Sequence, residues 1–152
     1  MPTAGAVKFL KVVNRDHCIG CYSCMYACSR MLRNFASCEK AALRVKAYAG
    51  VEGAFSIRVC ARCVKPDCAA VCPTKALTVA LGGGVRLKKE LCVRCGKCVA
   101  ACKISAMQWD EVEKMPLPCI QCGQCVKYCP NRVIELSERT ESAQTADKEA
   151  GA

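Results

Sequence analysis

No apolar run in this 152-residue chain approaches the roughly 20 residues a membrane-spanning helix needs. The opening stretch, MPTAGAVKFLKVV, lacks a charged leader followed by a long apolar segment and a small-residue cleavage site. Together these predict a cytoplasmic protein without a membrane span. Large aromatic side chains are scarce as well: three Phe, four Tyr and one Trp. So few leave little material for a conventional core. What the chain has in excess is cysteine, 17 residues in all. In a reducing cytoplasm such thiols stay free for metal rather than forming a disulfide framework.

The formal charge of +10 first suggests a nucleic-acid partner. That count treats every cysteine as neutral. Cysteines that hold metal do so as thiolates, and the anionic centres they form offset the excess of lysine and arginine. The sum falls near zero, and nucleic acid drops out as a partner.

Sixteen of the cysteines fall into four repeats. CIGCYSCMYAC holds Cys18, Cys21, Cys24 and Cys28, and CARCVKPDCAAVCP holds Cys60, Cys63, Cys68 and Cys72. CVRCGKCVAAC holds Cys92, Cys95, Cys98 and Cys102, and CIQCGQCVKYCP holds Cys119, Cys122, Cys125 and Cys129. Three share the spacing C-x2-C-x2-C-x3-C; the second has two extra residues before its third cysteine. Three thiolates at such intervals wrap one face of a cuboidal cluster, while the fourth points away to the cluster of a partner motif. Gly20, Gly96 and Gly123 lie inside these loops, where the backbone must approach sulfur closely. Pro73 and Pro130 follow the last cysteine, whereas Ser29 and Lys103 take that place in the other two motifs. Structural zinc is the alternative, but its paired C-x2-C knuckles do not place a third cysteine at the same interval. The pattern predicts four 4Fe–4S clusters on all sixteen cysteines and a metal-free chain that folds poorly.

Motifs that exchange a ligand must pair. Strand-like segments at Val7–Val13 and Arg132–Leu136 flank the outer two motifs; those at Phe55–Val59 and Ala106–Trp109 flank the inner two. ALTVALGGGVRLKKEL, between the inner motifs, reads as a hairpin around Gly82, Gly83 and Gly84. Nested pairing is therefore favoured over sequential pairing. The expected fold is α+β: two ferredoxin-like bicluster modules, one inserted into the other. The outer module takes residues 7–54 and 110–136, with Ala42–Tyr48 and Lys114–Pro118 as its inner strands. The insert takes 55–109, and 137–152 form a polar tail. On nesting, Cys18, Cys21 and Cys24 share a cluster with Cys129, and Cys119, Cys122 and Cys125 share one with Cys28. Cys60, Cys63 and Cys68 join Cys102, and Cys92, Cys95 and Cys98 join Cys72. A compact chain this long has a diameter of about 40 Å, which places four clusters in a row roughly 10–12 Å apart.

CARCVKPDCAAVCPTKAL resembles the second cysteine group of four-cluster electron-transfer subunits that serve molybdenum and tungsten oxidoreductases. The resemblance covers roughly Val7 to Leu136 and is most like the small subunit of tungsten-dependent aldehyde oxidoreductase, because the fourth motif has no long insertion. It implies a non-catalytic chain that relays single electrons, a large tungstopterin or molybdopterin catalytic subunit as partner, and a flavoprotein or soluble ferredoxin as the other. Formate dehydrogenase and hydrogenase complexes use similar subunits, and a free polyferredoxin is a further alternative.

Residues outside the ligand set have plainer readings. Cys38 reads as a half-buried free thiol and His17 as a solvated loop histidine. Trp109 and Tyr128 read as packing against a cluster. Arg62, Lys65, Arg94, Lys97 and Lys103 are expected to raise cluster potentials or to meet an acidic partner. The tail has no large apolar residue and is expected to lie over a partner subunit or a second copy of the chain.

Overall fold

A computed structural model describes residues 7–139. Its first strand, β1 (Val7–Val12), finds its partner at the far end of the chain. There β8 (Ile134–Arg139) runs antiparallel to it, with Val7 opposite Arg139 and Val12 opposite Ile134. The pairing brings the flanks of the first and fourth motifs together. Because β8 continues to Arg139, Ser137–Arg139 are strand rather than the start of a tail. The rest of the expected tail, residues 140–152, lies outside the described residues, as do residues 1–6.

Each cysteine motif ends in a helix. These are α1 (Ser23–Arg33), α2 (Asp67–Ala70), α3 (Lys97–Ala101) and α4 (Gln124–Lys127). α1 is much the longest and runs on past its last cysteine through Ser29, which stands where proline follows the last cysteine of the second and fourth motifs. The Ser29 hydroxyl donates to the Tyr26 carbonyl (3.0 Å) and accepts from the Ser37 N–H (2.9 Å). The helix then closes on Asn34 in a left-handed cap, φ 63°.

Six shorter strands complete the fold: β2 (Arg44–Ala47), β3 (Phe55–Arg58), β4 (Leu77–Val79), β5 (Val85–Leu87), β6 (Gln108–Asp110) and β7 (Met115–Leu117). The hairpin expected around the three glycines is β4–β5. The other four differ from the expected division. β3 pairs with β2 rather than opening the insert, and β6 pairs with β7. Two local hairpins thus straddle the expected boundaries at residues 54/55 and 109/110.

Side chains bury in two clusters. The larger gathers Leu10, Met25, Leu43, Val45, Ile57, Leu117, Val133 and Ile134 around Cys24, Cys28 and Cys125, with Phe55 packed against it. Ile57 and Val59, assigned to the insert from sequence, belong to this outer core. The smaller core has only Cys68, Leu77, Val85, Cys98 and Met107. Each fully buried Leu, Ile or Met contributes about 1.5–3 kcal/mol, so the smaller core leans harder on whatever its cysteines hold. α1 packs on α4 and α2 on α3. Among the described residues no helix is long and apolar enough to cross a membrane.

Candidate metal centres

The ligand loops share one backbone device. Gly20, Arg62, Arg94 and Gln121, each two residues after the first cysteine of a motif, have φ between 53° and 66°. Tyr22, Gly96 and Gly123 repeat the left-handed turn two residues later and cap the helices that follow. Left-handed residues turn successive N–H groups toward one concave side, a geometry suited to an anion. Holding Arg or Gln there costs on the order of 1–3 kcal/mol per residue. A second turn follows three of the fourth cysteines: Lys75, Ser105 and Arg132 are also left-handed. Backbone N–H groups then reach the thiols, with Ala106 on Cys102 (3.3 Å), Val133 on Cys129 (3.3 Å) and Ala42 on Cys28 (3.4 Å).

The sixteen motif cysteines come together in fours. One hollow is lined by Cys18, Cys21, Cys24 and Cys129 among apolar neighbours such as Val45, Ile57 and Ile134. Another is lined by Cys72, Cys92, Cys95 and Cys98, with Leu77, Leu87 and Trp109 against them. Burial pushes the Cys24 thiol up to about 12, helped by the like charges of Cys129, Cys21 and Cys18. Cys125 is likewise pushed up to about 12 by burial and by Cys28, Cys24 and Cys122. Burial raises Cys119 too, with Cys60, Cys28 and Cys125 as neighbours. Burial and then Cys102, Cys60 and Cys63 push Cys68 up to about 12. Thiols raised this way resist ionising alone, so a cationic iron centre is what would hold them as thiolates. Among the described residues no group of three or more His, Cys, Asp or Glu side chains closes on a single ion.

Contacts between the fours form a row. Cys24 neighbours Cys125, and Cys119 neighbours Cys60. Cys68 and Cys98 lie in the same small core. Cys21, Cys63 and Cys95 are exposed, whereas none of the cysteines of the group of Cys28, Cys119, Cys122 and Cys125 is.

Other sequence candidates take lesser places. All seventeen cysteines are free, and Cys38 is half-buried against the outer core. His17 is exposed, and its carbonyl accepts from the Asn131 side chain (2.7 Å). Tyr128 is exposed (61%), so the expected packing holds for Trp109 and not for it. Lys103 pairs with Asp67 at 2.9 Å in solvent.

Three features escaped the sequence. The Arg62 guanidinium donates to the carbonyls of Lys8 (2.8 Å), Leu81 (3.0 Å) and Gly83 (3.2 Å). The Gln121 carboxamide joins Leu10 to Cys60. Asp110, 1% exposed, is hydrogen-bonded by Lys40 and by the N–H groups of Val112 (2.9 Å) and Glu113 (3.0 Å), with Arg33 at 3.8 Å. Burial alone would raise that carboxyl; Lys40 and the two N–H groups outweigh it and hold it below the usual carboxylate range. No spacing rule points to any of the three, because each joins residues distant in sequence.

A family model described as a 4Fe–4S dicluster domain matches residues 91–134, and one described as a 4Fe–4S binding domain matches residues 15–31. Formate hydrogenlyase subunit 2 of Escherichia coli strain K12 is 34% identical over 101 residues, 66% of this chain and 48% of that protein. A polysulfide reductase subunit of Wolinella succinogenes is 33% identical over 116 residues, 73% of this chain and 61% of that protein. A thiosulfate reductase electron transfer subunit of Salmonella typhi is 29% identical over 100 residues, 62% and 52% of the two chains. The chain spans about half the length of the curated relatives it matches. The first, third and fourth cysteine motifs thus lie in sequence that matches 4Fe–4S-binding models, and one of these relatives carries electron transfer in its name.

Proposed function

We propose that this chain relays single electrons through four 4Fe–4S clusters within an oxidoreductase complex. The observation that carries the reading is the gathering of thiols in fours, each with one member from a remote motif. The ligand sets are Cys18, Cys21, Cys24 with Cys129; Cys119, Cys122, Cys125 with Cys28; Cys60, Cys63, Cys68 with Cys102; and Cys92, Cys95, Cys98 with Cys72. The packing of α1 on α4 and of α2 on α3 supports this nested scheme. When bound, such clusters supply one-electron redox chemistry over a wide range of potentials. The chain contributes the thiolates, together with left-handed loops that aim N–H groups inward and N–H bonds to Sγ atoms, both of which raise a potential. No cysteine of the second group in the row is exposed, whereas Cys21, Cys63 and Cys95 reach the surface, where a donor and an acceptor can approach.

The partner in this reading is a large molybdopterin or tungstopterin subunit, with a flavoprotein or soluble ferredoxin on the other side. A tungsten-dependent aldehyde oxidoreductase is supported by the short fourth motif; formate dehydrogenase and hydrogenase complexes are the alternatives. A reducing cytoplasm, where such thiols stay available for metal, suits this reading. Association through residues 140–152 completes the proposal and is checked by truncating them and weighing the native assembly. Purifying that assembly and identifying its large subunit tests the partner.

One observation favours a second pairing: the dicluster match spans the third and fourth motifs in sequence. Cys102→Ser separates the two. Nesting predicts that thiol alkylation of the anaerobic variant newly labels Cys60, Cys63 and Cys68. Labelling of Cys119, Cys122 and Cys125 instead would establish sequential pairing.

A further inference from the structure

The two middle ligand groups meet where Cys119 neighbours Cys60, and two side chains bridge that seam. Both occupy the left-handed position of their motif, Arg62 at φ 53° and Gln121 at φ 58°. At the outer end of the row the same position is Gly20, which needs no strain to turn. At the far end it is Arg94, which is exposed. Glycine at position 121 would relieve the backbone, so the side chain there is held against a local cost.

That side chain uses both ends of its carboxamide. Oε1 accepts from the Leu10 N–H of β1 at 3.0 Å, and Nε2 donates to the Cys60 carbonyl at 3.0 Å. Its own N–H lies 3.4 Å from the Cys119 sulfur. One residue thus touches a first-cysteine ligand on each side of the seam. Arg62 braces the same junction by another route, from the loop of Cys60 and Cys63 to the Lys8 carbonyl on β1.

We propose that Gln121 is a positioning residue that fixes the separation of the two middle cluster sites by hydrogen-bonding the ligand loop of one to a ligand of the other. The proposal rests on the four-cluster reading above. An amide is required, because the Leu10 N–H needs an acceptor and the Cys60 carbonyl a donor. Glutamate offers only the first of these and sets a carboxylate against the Cys60 carbonyl.

Gln121→Leu and Gln121→Glu in the holoprotein test it, with iron content, native-state hydrogen exchange and the electron paramagnetic resonance of the fully reduced protein as readouts. Leu10 amide protection should fall in Gln121→Leu and persist in Gln121→Glu. Both variants should keep their iron, and both should lose part of the spin–spin broadening that arises between neighbouring reduced clusters. An unchanged spectrum in either iron-replete variant overturns the positioning role, even if thermal stability falls, and leaves the four-cluster reading intact. Loss of iron from both variants makes Gln121 an assembly residue and also overturns it. Wild-type protein with iron for fewer than four clusters overturns the four-cluster reading itself.

Discussion

Replacing Gly20 with alanine should loosen the first ligand loop by about 2–4 kcal/mol. Two costs add. The residue is left-handed at φ 66°, where a Cβ costs about 1 kcal/mol. The new Cβ would also stand well inside contact distance of the Phe55 ring, and forcing that contact costs about 1–3 kcal/mol more. Gly96→Ala separates the two, for Gly96 has a similar φ of 72° and nothing within 4 Å of its added Cβ. It should bear the backbone cost alone. At about 2–4 °C per kcal/mol for a chain this size, Gly96→Ala lowers the midpoint of thermal cluster loss by roughly 2–4 °C and Gly20→Ala by roughly 5–15 °C. The assay is the bleaching of iron–sulfur absorbance at ~400 nm at one fixed heating rate, since loss of a cluster is irreversible. Phe55→Leu in the Gly20→Ala background should recover most of the difference. If Gly20→Ala is no worse than Gly96→Ala, the loop does not rest on Phe55 and the packing of β3 in the outer core is wrong.

Asp110→Asn leaves Lys40 and Arg33 without their buried counter-charge and should cost about 3 kcal/mol in thermal stability. The Asp110 carboxyl titrates lower folded than unfolded, so its contribution is present above about pH 3.9 and is lost as pH falls through the folded value. The difference between wild type and Asp110→Asn in acid-driven cluster loss should shrink across that window. Removing iron should unfold the smaller core more completely than the larger, because five buried residues hold one and fourteen the other; hydrogen exchange resolved by segment reads this. Cys129→Ser should lower bound iron by about four atoms per chain, whereas Cys38→Ser should leave it unchanged.

The cysteine motifs, the β4–β5 hairpin and the strands β1 and β8 were legible because each depends on local spacing or on residues that demand one conformation. Three glycines in a row can only be a turn between two strand-like runs. The junction was not legible. Phe55–Arg58 alternates as any half-buried strand does, and its pattern says nothing about which strand it joins; closing a short hairpin with Arg44–Ala47 orders less chain than reaching across to Gln108–Asp110. Arg62 was expected to raise a potential or meet an acidic partner rather than to bind the carbonyls of Lys8, Leu81 and Gly83, and nothing in the sequence pointed to Gln121, since a left-handed backbone at a non-glycine position leaves no mark there. Nothing in the sequence marks Asp110 as buried, because its partners, Lys40 and Arg33, lie some seventy positions away.

The hairpins that straddle the boundary also decide how this protein can be cut. A graft of residues 55–109 into another scaffold would carry β3 and β6 away from their mates, leaving two bare strand edges on the donor and two on the transplant. Such edges seek new partners and aggregate. The severable cassette is shorter. It runs from Cys60 to Met107, where the chain passes between the two cores without a strand bond being broken.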